Sequence, residues 1–320
     1  MALIYDITHT FSSYVIFGGL FGFIFYCLFS KIKGDGCPKL RARFMWFVLL
    51  IPLITYLTLK VVFPGMAFYE TKFISGTILG TVFSLACQVG YWSSLFLTPI
   101  LFIWAAIIIG RIFYVVISGR KFRQVNKAAA KEEFPEVFAV AGKFSKRLGI
   151  KCPDIFILSD QNLDSFAFGL FKPGIVLDRE VLRLKQEDIR TVIAHELAHV
   201  YRKDALFSVI AAFLRDIMFF SPATHWAYNG LMQVKEERAD DIAVELIGDR
   251  LQYGSTLIKV WKMGGGYESF PKVYPALGIA QTNVADRVER IIKPLPNRNI
   301  SIISTIFIGA LTINILSLIC

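Results

Sequence analysis

The sequence predicts an α+β domain, mostly helical with a small sheet, embedded in a membrane protein with several helical spans. Three observations predict it. Hydrophobic residues make up 55% of the 320 residues, more than in ordinary soluble domains. Long apolar runs lie near both ends, whereas residues 119–299 have the mixed, charged composition of a folded domain. Within that central region, short strand-like runs come before a series of helical patterns.

The membrane region is predicted to comprise residues 1–118, with about three spans, and a last span is predicted in residues 300–320. Phe11–Ser30 and Phe44–Phe63 are apolar runs of about 20 residues, which is the length that crosses the hydrocarbon core as a helix. Ser301–Cys320 is a similar run without a charged residue. Each of these runs therefore predicts a transmembrane helix.

The apolar stretch that follows the second run allows two arrangements. It could hold two spans separated near Gly90–Ser93, or one span near Ser94–Ile117 with Phe73–Trp92 outside the membrane or re-entrant. The residues directly after it are basic, as expected on the cytoplasmic side of a membrane: Arg120, Lys121, Arg123 and Lys127. From an external loop after the second span, one crossing reaches the cytoplasm and two do not. We therefore expect a single span.

The same rule orients the whole chain. The first two runs are separated by a basic loop, which we expect in the cytoplasm, with Lys31, Lys33, Lys39, Arg41 and Arg43. Both termini then lie outside and residues 119–299 lie in the cytoplasm, at the inner membrane of a prokaryotic cell. The net charge of +10 is concentrated beside apolar runs, which favours the lipid bilayer as a partner and not nucleic acid. The five cysteines contain no CxxC pair, so neither a disulfide framework nor a thiolate metal site is expected.

The central region predicts strands followed by helices. In order, the predicted elements are an amphipathic helix over Ala128–Leu148 with a break at Pro135, a strand at Ile155–Leu158, a hairpin of residues 165–168 and 174–177, and helices over Gln186–Asp204, Leu206–Phe220 and Lys235–Glu245. The helix over Leu206–Phe220 carries Arg215 and Asp216 at its middle. We expect it to be buried or to graze the membrane surface, because a free-standing span would place both charges in lipid.

The helix over Gln186–Asp204 contains the pattern His-Glu-x-x-His. His195 and His199 stand one helical turn apart on one face, so that both imidazoles can reach one metal ion. Glu196 is placed to accept a proton from a water at that metal. A catalytic zinc site needs three protein ligands and one open position, so a third ligand is expected downstream.

Two pairs of carboxylates downstream could complete the site. Glu236 and Asp240 are one turn apart on a helix, and Glu237 and Asp241 have the same spacing. In either pair the first residue would bind the metal, and the second would accept the remaining ring N–H of a ligating histidine.

Hydrolysis of a peptide also requires a donor for the oxyanion and a surface that holds the peptide. The candidate donors are Arg287, Arg290, His225 and Tyr228. Peptides can bind by adding a strand to an exposed sheet edge, and the run Phe166-Ala167-Phe168 is the candidate edge, with a strand of the core as the alternative.

These motifs resemble the BlaR/MecR-type family of membrane zinc metallopeptidases, which are gluzincins. The resemblance is carried by residues 169–177, 195–204, 220–222 and 236–244. It implies an α+β zincin-like catalytic domain that binds one zinc ion per chain through His195, His199 and Glu236, with Asp240 behind them. It also implies three spans, a cytoplasmic zinc domain and a fourth span. The chain is expected to lack an external penicillin-binding sensor domain, because it stops directly after the last apolar run.

The chain is also similar to the HtpX and CAAX-prenyl-protease type, which shares His-Glu-x-x-His and Glu-x-x-Ala-Asp. Here Asp164-Ser165-Phe166 replaces the usual Asn-Ala-Phe, and the usual His-Pro is missing before Arg290-Ile291. The expected function is zinc-dependent hydrolysis of a cytoplasmic or juxtamembrane protein in regulatory proteolysis. The alternatives are an HtpX-like peptidase in quality control or processing, and a catalytically silent membrane receptor. The sequence does not predict an oligomeric state.

Overall fold

The computed structural model of the protein describes residues 18–19, 22–24, 26–27, 38–57, 78–125, 129–158, 165–219, 221–263 and 284–293. The elements, in chain order, are α1 Pro38–Leu57, α2 Ile78–Val125, α3 Pro135–Leu148, β1 Asp154–Leu158, β2 Phe166–Phe168, β3 Gly174–Asp178, a 3-10 helix Arg179–Arg183, α4 Gln186–Tyr201, α5 Asp204–Ile217, α6 Pro222–Ile247, α7 Arg250–Met263 and α8 Val284–Ile292. The predicted span Ser301–Cys320 and most of Phe11–Ser30 lie outside the described residues.

The chain divides into two compact units. One comprises residues 1–107, 214–228 and 296–320, and the other comprises residues 108–213 and 229–295. In the first unit, Arg215 and Asp216 form an ion pair with 2.6 Å between Nη2 and Oδ1. The Trp104 indole N–H donates to the backbone carbonyl of Asp216 at 2.6 Å. These two charged residues therefore neutralise each other, which lowers the cost of placing them in an apolar segment.

Helix α1 corrects the prediction of a basic loop. It begins at Pro38, so that Lys39, Arg41 and Arg43 lie in its first turns. The fixed φ of proline suits the first position of a helix, and Lys and Arg are good helix formers. The predicted second span, Phe44–Phe63, coincides with α1 as far as Leu57, and its remainder lies outside the described residues.

Helix α2 is continuous over 48 residues, without the break near Gly90–Ser93 that the two-span alternative required. No turn separates residues 78–92 from Ser94–Ile117. Which part of this helix lies in the membrane stays a prediction. A glycine inside a helix costs only about 1 kcal/mol relative to alanine, so that a single glycine does not by itself end a helix. Within the residues whose side chains the structure describes, one segment is long and apolar enough to cross a membrane. It is Ile103–Val125, and it overlaps the predicted span Ser94–Ile117.

The sheet of the second unit has three strands in the order β1-β3-β2. Strand β1 pairs with β3 in parallel, and β2 pairs with β3 in antiparallel register, with Ala167 opposite Ile175. The predicted strand and hairpin are therefore confirmed, and β2 lies at an edge of the sheet. Ile175, Val176 and Leu177 of β3 are fully buried, as expected for the central strand.

Helices α3, α4, α7 and α8 cover the sheet and one another. Helix α3 begins at Pro135, which occupies the first helical position instead of breaking a longer helix as predicted. Helix α4 contacts the sheet, α3 and α7, and its Ile193 and Leu197 are buried in the same core as Ile155 and Leu177. This packing fixes one face of α4 and leaves the opposite face for chemistry.

Helix α5 presents apolar residues on an outer face as well as an inner one. Phe207, Ile210 and Phe213 follow each other at helical spacing and are exposed, whereas Ala211 and Ala212 are buried. Only one face of the predicted Leu206–Phe220 helix is therefore buried, and the other is suited to graze a membrane surface.

Candidate metal centre

Helix α4 brings the two histidines together. Its first turn carries Glu187 and Asp188, whose negative charges stabilise the helix because they lie at the positive end of its dipole. The Nε2 atoms of His195 and His199 lie 3.1 Å apart. Two nitrogens with lone pairs at this distance are suited to share one cation.

Glu236 of α6 completes a triangle of ligand atoms. Its Oε2 lies 3.5 Å from Nε2 of His195 and 3.7 Å from Nε2 of His199. In a tetrahedral zinc site with Zn–N distances of about 2.0–2.1 Å, two ligand nitrogens lie about 3.4 Å apart. The three observed separations are close to that value. Among the described residues, these three form the group of His, Cys, Asp and Glu side chains that could hold a metal ion.

Asp204 fixes the orientation of His199. Its Oδ2 lies 2.7 Å from Nδ1 of His199, so that the ring N–H points at the carboxylate and Nε2 faces the metal position. Arg202 holds the other oxygen of Asp204, with 3.2 Å between Nη2 and Oδ1. Lys203, between them, has φ of 55°, which turns the chain directly after α4. No role was predicted for Asp204 from the sequence, although it lies five residues after the second histidine.

Tyr253 of α7 fixes the orientation of His195. Its hydroxyl lies 2.9 Å from Nδ1 of His195 and donates to Oδ1 of Asp240 at 2.8 Å. Asp240 itself lies farther from the imidazole, with 3.4 Å between Nδ1 and Oδ1. The predicted contact between Asp240 and a histidine thus runs mainly through the tyrosine. Nothing in the sequence indicated Tyr253, because a tyrosine in an amphipathic helix is normally a packing residue.

Arg287 of α8 neutralises Asp240. Its Nε and Nη2 donate to the two oxygens of Asp240 at 2.9 and 2.6 Å. Burial raises the pKa of Asp240, but Arg287 and the bond to His195 outweigh it and hold that pKa well below its usual range. The third nitrogen of Arg287, Nη1, lies 3.9 Å from Oε2 of Glu236. This predicted oxyanion donor therefore lies beside the ligand cluster, with most of its hydrogen bonds made to Asp240.

The electrostatics of the cluster favour a bound cation. Burial alone lowers the pKa of His199, but the carboxylate of Glu236 and the bond to Asp204 raise it to about 10. Glu236 is partly buried, which disfavours its charge, yet the histidines and Lys235 hold its pKa well below the usual value. Two nitrogen donors and one carboxylate form the type of ligand set that zinc takes. The residues present therefore fit a zinc ion.

Glu196 lies on the same helix and is buried. Its Oε2 has no hydrogen-bond partner among the described residues. Burial raises its pKa above the usual value, against the opposing effect of the two histidines. A buried carboxylate with a raised pKa and an unsatisfied oxygen is suited to accept a proton and release it again.

The remaining candidates have other partners. Asp241 is paired with Arg290, with 2.6 Å between Oδ1 and Nη1, and Nη2 of Arg290 donates to the backbone carbonyl of Glu237 at 2.6 Å. The metal-ligand triangle contains Glu236 and not Glu237, so the structure favours the first of the two carboxylate pairs.

His225 and Tyr228 belong to the other unit. A ring nitrogen of His225 bonds to the carbonyl of Phe219 at 2.9 Å, and Arg215 lies over the ring of Tyr228 at 4.3 Å. Both side chains have partners within that unit. Neither belongs to the ligand cluster of His195, His199 and Glu236.

The candidate substrate edge lies next to α4. Strand β2 contacts that helix and pairs on one side with β3. Phe168 is buried with Phe156 and Val176, whereas Phe166 and Ala167 are only partly buried. Phe168 is thus a core residue. Strand β2 is nevertheless an edge strand, because its backbone pairs with β3 on one side and it is the last strand of the sheet.

Comparison with known proteins places the chain among membrane metallopeptidases. The model of the family described as BlaR1 peptidase M56 matches residues 45–291, which include the whole ligand cluster. The chain belongs to this family.

Three relatives illustrate the range of similarity. A protease HtpX homolog of Aquifex aeolicus is 32% identical over 124 residues, which cover 37% of this chain and 40% of that protein. The methicillin resistance mecR1 protein of Staphylococcus aureus is 27% identical over 160 residues, which cover 48% of this chain and 27% of that protein. The regulatory protein BlaR1 of Bacillus licheniformis is 28% identical over 95 residues, which cover 29% of this chain and 16% of that protein. In each comparison the chain matches less than half of the relative's own length.

Proposed function

We propose that this chain is a zinc-dependent endopeptidase of the membrane, which hydrolyses peptide bonds of a cytoplasmic or juxtamembrane protein in regulatory proteolysis. The observation that carries the proposal is the triangle of ligand atoms from His195, His199 and Glu236, with sides of 3.1, 3.5 and 3.7 Å. Its sides suit three ligands of one tetrahedral zinc ion and leave the fourth position for reaction. One zinc ion per chain is the expected content.

The surrounding residues have distinct roles in this proposal. A zinc ion in the site supplies a Lewis acid that lowers the pKa of water and polarises a peptide carbonyl. Glu196 accepts the proton of the attacking water and then donates it to the leaving amine, for which its raised pKa is suited. Arg287 is the proposed donor to the oxyanion through Nη1, the nitrogen that does not bond to Asp240. The substrate binds as an extended strand along β2.

The membrane arrangement is also a proposal. We propose residues 1–118 as the membrane region, 119–299 as the cytoplasmic peptidase domain and 300–320 as a last span, with both termini outside. The apolar side chains of α2 support membrane embedding, because Ile103, Ile109 and Phe113 are each more than 60% exposed. Such side chains are stable in lipid and would be unfavourable in water.

Hydrolysis by the purified 320-residue chain tests the function. We expect detergent-solubilised protein to cleave fluorescein-labelled β-casein, to stop when a chelator removes the metal and to recover when Zn²⁺ is restored. Glu196→Gln is expected to abolish cleavage while about one zinc per chain remains bound, as measured by metal analysis. Full activity of that variant would contradict the proposed role of Glu196.

The same experiment separates the alternatives. A catalytically silent receptor would show no cleavage with zinc bound. The similarity to the HtpX homolog supports the alternative of a peptidase in quality control or processing. Accumulation of several unrelated membrane proteins in a Glu196→Gln strain, in place of one intact regulatory protein, would support that alternative.

A further inference from the structure

The segment Gly169-Leu170-Phe171-Lys172-Pro173-Gly174 has no role in the metal centre. It connects β2 to β3, and its contacts lead to the end of helix α2 and not to the zinc ligands. The relevant contacts lie within the second unit, which includes α2 from Ile108 onward.

The guanidinium of Arg123 binds two parts of the sheet at once. Nη1 donates to Oδ2 of Asp154 at the start of β1, at 2.6 Å. Nη2 donates to the backbone carbonyl of Lys172 in the connection, at 2.5 Å. The carbon Cζ lies 4.8 Å from the ring centroid of Phe168 and 5.6 Å from that of Phe156. Two charge-assisted hydrogen bonds and two ring contacts make this a specific site for one arginine.

Phe122 reinforces the same contact. Its ring meets those of Phe168 and Phe156 edge to face, with centroids 4.9 and 5.6 Å away. Phe122 and Arg123 thus cover the ring of Phe168, which belongs to the edge strand. The end of the long apolar helix is fixed to β2 by packing as well as by charge.

The two glycines of the connection make room for the guanidinium. A Cβ atom at Gly174 would lie 2.9 Å from Nη2 of Arg123 and 2.7 Å from the Phe168 ring. Gly169 has φ of 91°, and a Cβ atom there would collide with the carbonyl of Lys172 that Arg123 binds. Both positions therefore require glycine, because any side chain would displace the arginine, the ring or the carbonyl.

We propose that Arg123 is a positioning residue for the substrate-binding edge. It ties the β2–β3 connection to the end of α2, and so sets where β2 lies beside the histidine helix α4. Arg123 does not contact the metal ligands, and it acts on substrate binding and not on the chemical step. This inference rests on the proposed function, because it assigns β2 to the substrate.

The test compares two disruptive variants with two matched controls. Arg123→Ala removes the guanidinium, and Gly174→Ala inserts a methyl group into the space it uses. Arg120→Ala removes an exposed charge from the same helix end, and Gly142→Ala adds a methyl group where no atom lies within 4 Å. Cleavage of fluorescein-labelled β-casein gives KM and kcat, metal analysis gives zinc content, and deuterium exchange gives the local opening of residues 166–177 and 186–201.

Arg123→Ala and Gly174→Ala are expected to raise KM by about tenfold, the loss that follows removal of a charge-assisted hydrogen bond. We expect kcat and zinc content to be retained, and exchange to rise in residues 166–177 but not in 186–201. Arg123→Lys should recover only part of the loss, because lysine cannot bond in two directions and stack at once.

Two results would overturn the proposal. One is that Arg123→Ala and Gly174→Ala have the same KM and the same deuterium exchange as the unchanged protein. The other is a loss of zinc with faster exchange over the whole domain, which would mean a general structural role. If the unchanged protein cleaves nothing, the proposed function fails, and the exchange measurement alone decides whether Arg123 fixes the hairpin.

Discussion

The hydroxyl of Tyr253 lies between a ligand histidine and the carboxylate that was expected to touch that histidine directly. It is 2.9 Å from Nδ1 of His195 and 2.8 Å from Oδ1 of Asp240. Because the hydroxyl donates to Asp240, its oxygen can accept the N–H of His195. This relay holds the proton on Nδ1 and leaves the lone pair of Nε2 for the metal.

Removal of that hydroxyl should weaken zinc binding. We expect Tyr253→Phe to lower zinc affinity by about 10- to 100-fold, the usual loss when the partner of a ligating histidine is removed. Competition with a fluorescent chelator measures the affinity. Tyr201→Phe, which removes an exposed hydroxyl at the end of the same histidine helix, is the control and should bind as the unchanged protein does. Equal affinity of the Tyr253 variant would show that Asp240 alone orients His195.

Asp204 should have the same importance for His199. We expect Asp204→Ala to lower zinc affinity by about 10- to 100-fold, since Nδ1 of His199 loses its acceptor at 2.7 Å. The same competition measurement applies. Asp241→Ala removes a carboxylate that pairs with Arg290 outside the ligand triangle, and it should leave zinc affinity unchanged. A loss of equal size in both variants would point to net charge and not to the orientation of His199.

The turn after α4 should tolerate glycine and reject valine. Lys203 has φ of 55°, a left-handed conformation that costs about 1–2 kcal/mol for a residue with Cβ and more for a β-branched one. We expect Lys203→Val to lower the free energy of unfolding and to weaken zinc binding, because Asp204 follows directly. Lys203→Gly should be at least as stable as the unchanged protein. Thermal melts with and without zinc measure both effects, and equal melts for the two variants would contradict the argument.

Stability should depend on acid through Asp188. Burial raises the pKa of this carboxyl, but hydrogen bonds from Thr256, Lys259 and Gln252 outweigh it and lower the pKa below its usual value. The stabilisation is therefore complete above the unfolded pKa of about 3.9 and is lost as the pH falls through the lower folded value. We expect Asp188→Asn to lower the melting temperature at pH 7 and to reduce the acid dependence below pH of about 4.

The control for this prediction is Lys262→Met, on the same helix as Lys259. Lys262 is exposed, and its replacement should leave the pH profile of the melt unchanged. An Asp188→Asn profile that keeps the full acid dependence of the unchanged protein would mean that other carboxyl groups produce it.

The sequence predicted the parts of this molecule that depend on local spacing. The positions of His195 and His199 follow from helix geometry, and the β2–β3 hairpin follows from two short apolar runs on either side of Pro173 and Gly174. The alternative of a break near Gly90 was wrong, because one glycine costs only about 1 kcal/mol in a helix and does not by itself end it. Pro135 was interpreted as an interruption, although proline also suits a helix start.

The residues that orient the ligands could not be predicted in the same way. Tyr253 lies 58 positions from His195 along the chain, and Arg287 lies 47 positions from Asp240. Their contacts depend on how α7 and α8 pack against α4 and α6, and spacing along one helix contains no information about that packing. Asp204 is close in sequence, but its role depends on the left-handed turn at Lys203, where glycine would be the usual residue.

The contact of Arg287 with Asp240 also has a consequence for the time at which the protein can become active. A chain leaving the ribosome has its histidines long before it has Arg287, and until then Asp240 lacks the cation that neutralises it. A buried carboxylate without that partner disfavours the packed arrangement of α6 and α7, and with it the orientation of His195. The arrangement that orients His195 can therefore be completed only after α8, which carries Arg287, has been synthesised.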